Sequence, residues 1–274
     1  MAPPSDNRDA SMSGLVTLTT DFGSADGYAG AVKGVLLAAC RELRVIDITH
    51  DLPMGDVLAG ALALEAAVNW FPPATVHLAV VDPGVGSDRN ALLLQDEHGS
   101  FALGPDNGLL SLAFGEPVAC WKLDAGRVTS RPVSPVFHGR DLFAPAAAAL
   151  VSGVDAGDLG DPVGDFERLQ LPAPKSVGGQ LEGEVIHVDR FGNMVTNIAA
   201  SLATGLPGTG ELKTAAGGLV IDGFSRCYAD VGEGELLALE GSGGRLELAL
   251  RAGAAVALPA MSGVGMPLRV YRSE

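Results

Sequence analysis

The chain has 274 residues, a length that suits one large domain or two smaller ones. Its 18 Lys and Arg residues against 33 Asp and Glu residues give a net charge of −15, which disfavours a nucleic-acid partner because phosphate binding needs clustered cations. No apolar run approaches the roughly 18 residues that span a bilayer, so we expect no membrane segment. Three scattered cysteines indicate neither a disulfide framework nor a zinc site, and a cytoplasmic location is expected.

The first part of the chain alternates strand-like and helix-like segments. Residues 1–13 are polar, lack the basic-then-apolar pattern of a secretory signal, and are expected to form a disordered tail. Within the domain expected at 14–165, strands are predicted at 15–20, 44–49, 75–81, 91–95 and 101–104, and helices at 26–40, 56–70 and 141–151. This alternation predicts an α/β fold with a mainly parallel sheet flanked by helices.

The pattern changes after the first domain. Residues 166–179 contain prolines and glycines and are expected to form a linker. In the domain expected at 180–274, strands separated by Gly-rich turns are predicted at 183–188, 194–198, 218–221, 235–239, 245–250 and 267–271. Short strands at this spacing predict a smaller antiparallel β domain, either a sandwich or a barrel.

Polar residues follow several strands of the first domain: Asp21, Thr49-His50, Asp82 and Asp106-Asn107. Each of them alone could simply form a turn. Ligands of open parallel sheets bind at the carboxyl ends of the strands, so together these residues predict a site at that edge.

Other site classes lack support in the sequence. We find no phosphate-binding loop, no G-x-S-x-G nucleophile elbow and no H-E-x-x-H metal motif. His50, His77, Asp82 and His138 follow no standard metal-ligand spacing, so no metal is expected. His77 lies within an apolar strand and is interpreted as structural.

Six ordered motifs resemble those of the S-adenosylmethionine (SAM) hydroxide adenosyltransferases, relatives of the bacterial fluorinases and chlorinases. They are LTTDFG at 18–23 with DGY at 26–28, IDITH at 46–50, VVDPGVG at 80–86 with Arg89 close behind, GPDNG at 104–108, FHGRD at 137–141 and DRFGN at 189–193. The resemblance extends from about residue 15 to the C-terminus. It implies a two-domain homotrimer that binds SAM between the large domain of one subunit and the small domain of the next.

The resemblance also implies the reaction, in which water attacks the ribose 5′ carbon of SAM and gives adenosine and methionine without a cofactor or metal. Asp82, Arg89 and His138 match a set that lies near the attacking water in the hydrolases and is missing from the halogenating relatives. Retention of all three favours water over halide. His138 or Asp82 would accept the proton while Arg89 orients the water, or Asp82 would instead fix Arg89 or His138.

Substrate contacts are implied by matching positions. Asp21 matches a carboxylate that binds the ribose hydroxyls, and Asp189 one that holds the methionine amino group. Phe191 and Asn193 match a pair that stacks on and hydrogen-bonds adenine. The remaining matches are Ser242 for the methionine carboxylate, Ala255 for a backbone contact to adenine, and Phe71, which either lines the ribose pocket or is a core aromatic.

One position departs from the pattern of the halogenating enzymes. Gly243 stands where they often carry an arginine after the serine. Three alternatives remain open at this point: a SAM-dependent halogenase, a non-catalytic nucleoside- or SAM-binding protein, and a metal-dependent hydrolase.

Overall fold

The computed structural model describes residues 14–273, so the tail predicted at 1–13 lies outside the described residues. The chain divides after Leu169 into two compact units. None of the described helices has both the length and the apolar character needed to span a bilayer.

The N-terminal unit is built on a mixed seven-stranded sheet in the order β2-β1-β3-β5-β4-β6-β7. Its strands are β1 Leu15–Thr20, β2 Arg44–Thr49, β3 Val76–Val80, β4 Ala91–Gln95, β5 Phe101–Pro105, β6 Ala119–Leu123 and β7 Gly160–Pro162. Strands β2, β1, β3 and β5 run parallel, and β4, β6 and β7 continue the sheet in antiparallel pairs.

Helices cover the sheet on both faces. They are α1 Tyr28–Ala39, α2 Val57–Val68, α3 Ala125–Val128, α4 Ala144–Val151 and α5 Ala156–Leu159, with a π-helical turn Gly139–Phe143 leading into α4. One face packs against α1 and α4 and the other against α2. Coverage of both faces explains why every residue of β1 and β3 is buried.

The elements expected between residues 15 and 105 are present within two residues of their predicted bounds. Asp56 caps the N-terminus of α2, because its carboxylate accepts a hydrogen bond from Ala59 N at 2.9 Å. The helix predicted at 141–151 begins differently, with the π-helical turn before α4.

The C-terminal unit is an antiparallel eight-stranded sheet. The strands are β8 Lys175–Val177, β9 Gln180–Val188, β10 Met194–Ala199, β11 Leu212–Ala216, β12 Leu219–Asp222, β13 Leu236–Glu240, β14 Arg245–Leu250 and β15 Pro267–Arg272, with α6 Ala200–Thr204 after β10. The order is β12-β11-β15-β9-β10-β14-β13, with β8 beside β9. The edge strands β12 and β13 lie next to each other, so the sheet is nearly barrel-shaped. Strand β8 falls within the segment expected to be a linker.

Candidate active site

The first candidate site lies where the sheet order changes direction. The chain passes from β1 to β2 on one side and then to β3 on the other, which makes the gap between β1 and β3 a topological switch point. Asp21 directly follows β1, and Asp82 follows two residues after β3. Both side chains line a cavity of about 420 Å³, which is completed by the loop before α2 and by residues 136–139.

The structure brings the three residues predicted to be catalytic into direct contact. Arg89 donates from Nε to Asp82 Oδ1 at 2.8 Å and from Nη2 to Asp82 Oδ2. Nη2 also lies 2.9 Å from His138 Nδ1, and Nη1 donates to the Asn90 carbonyl at 3.0 Å. The side chains of Arg89 and Asp82 are only 9% and 4% exposed, so this ion pair is largely shielded from water.

A close backbone approach makes that contact possible. Gly86 has a φ of +80°, and a Cβ on it would lie 2.5 Å from the Pro135 carbonyl oxygen. Only glycine fits there, and the loop that carries Arg89 therefore lies directly against the segment that leads to His138. His138 immediately precedes the π-helical turn, a type of distortion that is frequent at functional sites. Gly86 belongs to one of the sequence motifs, but the sequence predicted neither its close approach to Pro135 nor the π-helical turn after His138.

The hydrogen bond from Arg89 fixes the tautomer of His138. A guanidinium can only donate, so His138 Nδ1 must accept, and in the neutral ring the proton then resides on Nε2. Burial lowers the pKa of His138, and the positive charge of Arg89 lowers it further, while Asp82 and Asp141 act in the opposite direction. His138 is therefore a neutral side chain that offers an N–H donor at Nε2.

Asp21 and Met54 form another part of the cavity wall. Asp21 Oδ2 accepts a hydrogen bond from Gly55 N at 2.8 Å, which ties the end of β1 to the loop before α2. Met54, in the same loop, lines the cavity and is 94% exposed. The sequence analysis did not select Met54, although its position shortly after the polar end of β2 was an available signal.

Phe71 lies elsewhere. Its ring packs edge-on against His77, with ring centroids 5.6 Å apart, and it does not line the cavity. His77 is near the start of β3, about 16 Å along the strand from Asp82 at 3.3 Å per residue. Phe71 is half-buried, and of the two roles expected for it this contact favours packing beside the core.

His77 itself is a core residue. It is 1% exposed, shares a 2.8 Å hydrogen bond with Thr17 Oγ1, and has its pKa lowered to about 4 by burial. This environment agrees with the structural role expected for it. Among the described residues, no three His, Cys, Asp or Glu side chains converge in a way that could hold a metal ion.

The polar residues after β5 organise loops. Asp106 accepts from Asn90 Nδ2 at 3.0 Å and from Glu167 N at 2.8 Å. Asn107 donates to the Val81 carbonyl at 2.9 Å, next to Asp82. Their role is to support the neighbouring loops, as the turn interpretation anticipated.

In the C-terminal unit, a second group of predicted residues surrounds the turn between β9 and β10. Asp189 Oδ1 accepts from the backbone N–H groups of Phe191 and Asn193, both at 2.8 Å, and Asp189 Oδ2 accepts from Asn193 Nδ2 at 3.0 Å. Gly192, with φ +81°, lets the turn pass against Ala254. The Phe191 ring is 77% exposed, whereas Asn193 is 5% exposed.

Two further residues at this turn were missed by the sequence analysis. Tyr228 Oη donates to Glu247 Oε1 at 3.0 Å and lies 3.5 Å from Asn193 Nδ2. Glu247 is 7% exposed, and burial raises its pKa. Burial and the neighbouring Glu247 raise the pKa of Tyr228 to about 12. The available signal was Glu247 between the apolar residues Leu246 and Leu248 of strand β14.

The last two predicted residues, Ser242 and Ala255, lie before and after strand β14. Ser242 is exposed in the turn between β13 and β14. Ala255 is fully buried, and its carbonyl accepts from Leu258 N at 3.1 Å. A larger open cleft of about 940 Å³ in this unit contains none of the predicted site residues.

Known protein families provide an independent assignment. Residues 16–160 match the model of the SAM hydroxide adenosyltransferase N-terminal domain, and residues 183–262 match that of the C-terminal domain. The chain belongs to the SAM hydroxide adenosyltransferase family. The resemblance drawn from the six motifs is thereby confirmed.

The relatives of this chain include proteins named as hydrolases and proteins named as fluorinases. The chain is 40% identical over 248 residues to an (R)-S-adenosyl-L-methionine hydrolase of Salinispora tropica, covering 89% of this chain and 92% of the relative. It is 35% identical over 264 residues to one of Thermus thermophilus, covering 93% and 98%. A fluorinase of Actinopolyspora mzabensis is 26% identical over 297 residues, covering 94% and 97%.

A solved structure also supports the fold. The crystal structure of an uncharacterized conserved protein from Thermotoga maritima superimposes with a TM-score of 0.85 at 32% identity, covering 94% of this chain and all of that one.

Proposed function

We propose that this protein hydrolyses S-adenosyl-L-methionine to adenosine and L-methionine by attack of water on the ribose 5′ carbon. The observation that carries the proposal is the contact of Asp82, Arg89 and His138 at a cavity on the switch point of the sheet. Family membership supports it, as does the greater identity to hydrolases than to fluorinases.

The chemistry demands little of the leaving group. The sulfonium takes the electron pair of the carbon–sulfur bond and leaves as neutral methionine, so no acid is needed. Water is the weak partner, because free hydroxide at pH 7 lies roughly 9 pK units away, or about 12 kcal/mol. The attacking oxygen becomes strongly acidic as the carbon–oxygen bond forms, so a base can accept its proton during attack.

The hydrogen bonds favour Asp82 as that base. The only lone pair on the neutral His138 ring is at Nδ1, which faces Arg89, so His138 acts as a donor that orients the water through Nε2. A carboxylate has about four acceptor positions, and Arg89 uses two of those on Asp82. Arg89 holds both partners in place, and Asp82 accepts the proton.

Substrate contacts follow the family resemblance. Asp21 binds the ribose hydroxyls through Oδ1, because Oδ2 accepts the hydrogen bond from Gly55 N. The reaction uses no cofactor or metal. The other proposed contacts are Asp189 and Ser242 with methionine, and Phe191, Asn193 and the Ala255 backbone with adenine. Phe71 is not included, because it packs against His77.

The same resemblance supports a homotrimer with active sites at subunit interfaces. Sedimentation equilibrium would test the trimeric assembly directly. A cytoplasmic location is compatible with the three free cysteines.

A product assay in water labelled with heavy oxygen tests the function. We expect pure, chelator-treated protein to convert SAM to adenosine that carries the label at its 5′ oxygen. A 5′-halogenated nucleoside formed only with halide would indicate a halogenase, and activity lost with the chelator would indicate a metal-dependent hydrolase. Bound SAM without any product would indicate a binding protein.

A further inference from the structure

The loop that carries Asp82 and Arg89 has no regular secondary structure. It runs from Asp82 to Arg89, between the strands β3 and β4, and we call it the 82–89 loop. The hydrogen bonds of the sheet therefore do not fix the position of Arg89 relative to Asp82. Other contacts must hold the two ends of the loop at the separation that the ion pair needs.

Asn107 holds the end of the loop at Asp82. Its Nδ2 donates to the carbonyl of Val81, the residue directly before Asp82, at 2.9 Å, and its Oδ1 accepts from Leu109 N at 3.1 Å. Because the amide donates at one end and accepts at the other, it cannot turn over without losing both bonds. The backbone at the start of the 82–89 loop is thus attached to the turn after β5.

Asp106 holds the other end of the loop through Asn90, the residue directly after Arg89. Asp106 Oδ2 accepts from Asn90 Nδ2 at 3.0 Å, and Asp106 N donates to the Asn90 carbonyl at 3.1 Å. The same carbonyl accepts from Arg89 Nη1 at 3.0 Å. Asp106 therefore fixes a backbone oxygen that in turn fixes the guanidinium of Arg89.

The second oxygen of Asp106 binds a third segment of the chain. Oδ1 accepts from Glu167 N at 2.8 Å, in the segment that leads to the end of the N-terminal unit at Leu169. A carboxylate accepts at both oxygens and has no hydrogen of its own, so it suits a position that two donors approach from different sides. One side chain thus connects the 82–89 loop with the segment by which the chain leaves this unit.

We propose that Asp106 and Asn107 are positioning residues, which hold the two ends of the 82–89 loop and so keep Asp82 and Arg89 in contact with each other and with His138. Neither Asp106 nor Asn107 lines the cavity, so both act through the loop and not on the substrate. This inference deepens the proposed function and rests on it for the roles of Asp82 and Arg89.

Steady-state kinetics of Asp106→Ala test the inference. Alanine removes the bonds to Asn90 Nδ2 and Glu167 N, so kcat should fall about ten-fold, near the lower end of what the loss of a hydrogen bond to a charged group costs. KM for SAM should change less than about three-fold, because the cavity wall is intact. Asp106→Asn should keep kcat within about three-fold of the wild type, since its oxygen can accept from Glu167 N while the Asn90 amide turns to accept from its NH₂ group.

Asp96→Ala is the matched control. Asp96 follows β4 as Asp106 follows β5, and its Oδ1 also organises a loop, because it accepts from His98 N at 2.9 Å and from Ser100 N at 2.8 Å. The two strands are antiparallel, so Asp96 lies at the opposite edge of the sheet from Asp106. Asp96→Ala should lower the melting temperature, as Asp106→Ala does, and leave kcat unchanged.

Two smaller changes keep the test decisive where Asp106→Ala fails to fold. Asn90→Ala removes only the side-chain bond to Asp106, and Asn107→Ala removes the bond to the Val81 carbonyl at the other end of the loop. Each should lower kcat about three- to ten-fold with little change in KM. Unchanged kcat in both variants, or an equal fall of kcat in Asp96→Ala and Asp106→Ala, would overturn the inference.

Hydrogen–deuterium exchange provides a readout that needs no reaction. Peptides that cover residues 82–90 should exchange about ten-fold faster in Asp106→Ala and Asn107→Ala than in the wild type, and at the wild-type rate in Asp96→Ala. A protein that shows this pattern but does not convert SAM would refute the proposed function and leave the holding of the loop intact. A protein that hydrolyses SAM, and whose kcat and exchange rates are unchanged in Asp106→Ala and Asn107→Ala, would refute this inference alone.

Discussion

Replacement of Arg89 is the most direct test of the proposed mechanism. In the structure its guanidinium contacts both oxygens of Asp82, His138 Nδ1 and the Asn90 carbonyl. Arg89→Lys keeps the positive charge, but a single ammonium group cannot reach all of these partners at once. The variant therefore separates the charge of the side chain from its fork geometry.

The expected loss can be estimated from comparable groups. Removal of one preorganised hydrogen-bond donor near developing charge typically lowers kcat by about 10²- to 10³-fold, or about 2.7–4 kcal/mol. We expect a loss of about 10²-fold for Arg89→Lys and at least 10³-fold for Arg89→Ala. The alanine variant also leaves Asp82 buried and unpaired, which costs about 3–5 kcal/mol of stability, so lysine is the cleaner test.

Single-turnover kinetics with excess enzyme give the rate of the chemical step and the SAM dissociation constant separately. We expect the rate to fall while the dissociation constant changes less than about three-fold, because Arg89 positions Asp82 and His138 and does not contact the substrate. Arg127→Lys, at the exposed ion pair with Asp161, is the matched control and should leave both unchanged. A reduced rate that is explained entirely by weaker SAM binding would refute the role given to Arg89.

Four other perturbations test the site and the fold. The pKa of His138 is lowered by burial and by Arg89, so kcat/KM should stay constant from pH 8 down past the ordinary histidine value of about 6.5 and fall only below it; a fall centred above that value would contradict a neutral His138. His77 has a pKa of about 4 in the folded protein and about 6.5 when unfolded, so the unfolded state binds more protons below pH 6.5. The free energy of unfolding should therefore fall by about 3 kcal/mol between pH 6.5 and 4. Urea titrations over this range should show a smaller dependence of the unfolding free energy on pH in His77→Gln. Met54→Ala should raise KM for SAM several-fold without changing the melting temperature, whereas Phe71→Leu should lower the melting temperature and leave KM unchanged; the reverse pattern would restore Phe71 as a pocket residue. Gly86→Ala should lower kcat at least ten-fold, because the added Cβ would push its loop away from Pro135; rate measurements beside circular dichroism would check this, and full activity would show that the close approach is not needed.

Sequence alone went furthest where short-range patterns determine the structure. Buried strands such as β1 and β3 consist, apart from His77, of apolar or β-branched residues, so their positions and the polar residues after them could be predicted. Asp82 and Arg89 are seven residues apart in one motif, whereas His138 is 49 residues from Arg89 and was associated with them only through the family resemblance.

Features that depend on contacts between distant segments could not be predicted. The approach of Gly86 to Pro135 depends on how two loops pack, and no local pattern encodes it. The same holds for Tyr228 and Glu247, which lie 35 and 54 residues from Asn193 and contribute to its environment through side chains. Phe71 was ambiguous for the same reason, since an aromatic before two prolines suits either a pocket or a core.

The charges around the cavity also bear on the choice between water and halide. Asp21 and Asp82 contribute two negative charges, Arg89 contributes one positive charge, and His138 is held neutral, so the formal sum is −1. This balance complements a sulfonium cation, and a protonated His138 would instead place a second positive charge close to it. A halide ion would have to bind beside two carboxylates, with the Arg89 guanidinium already committed to Asp82. The lowered pKa of His138 thus serves both substrates of the proposed reaction, because the neutral ring can orient water and does not repel SAM.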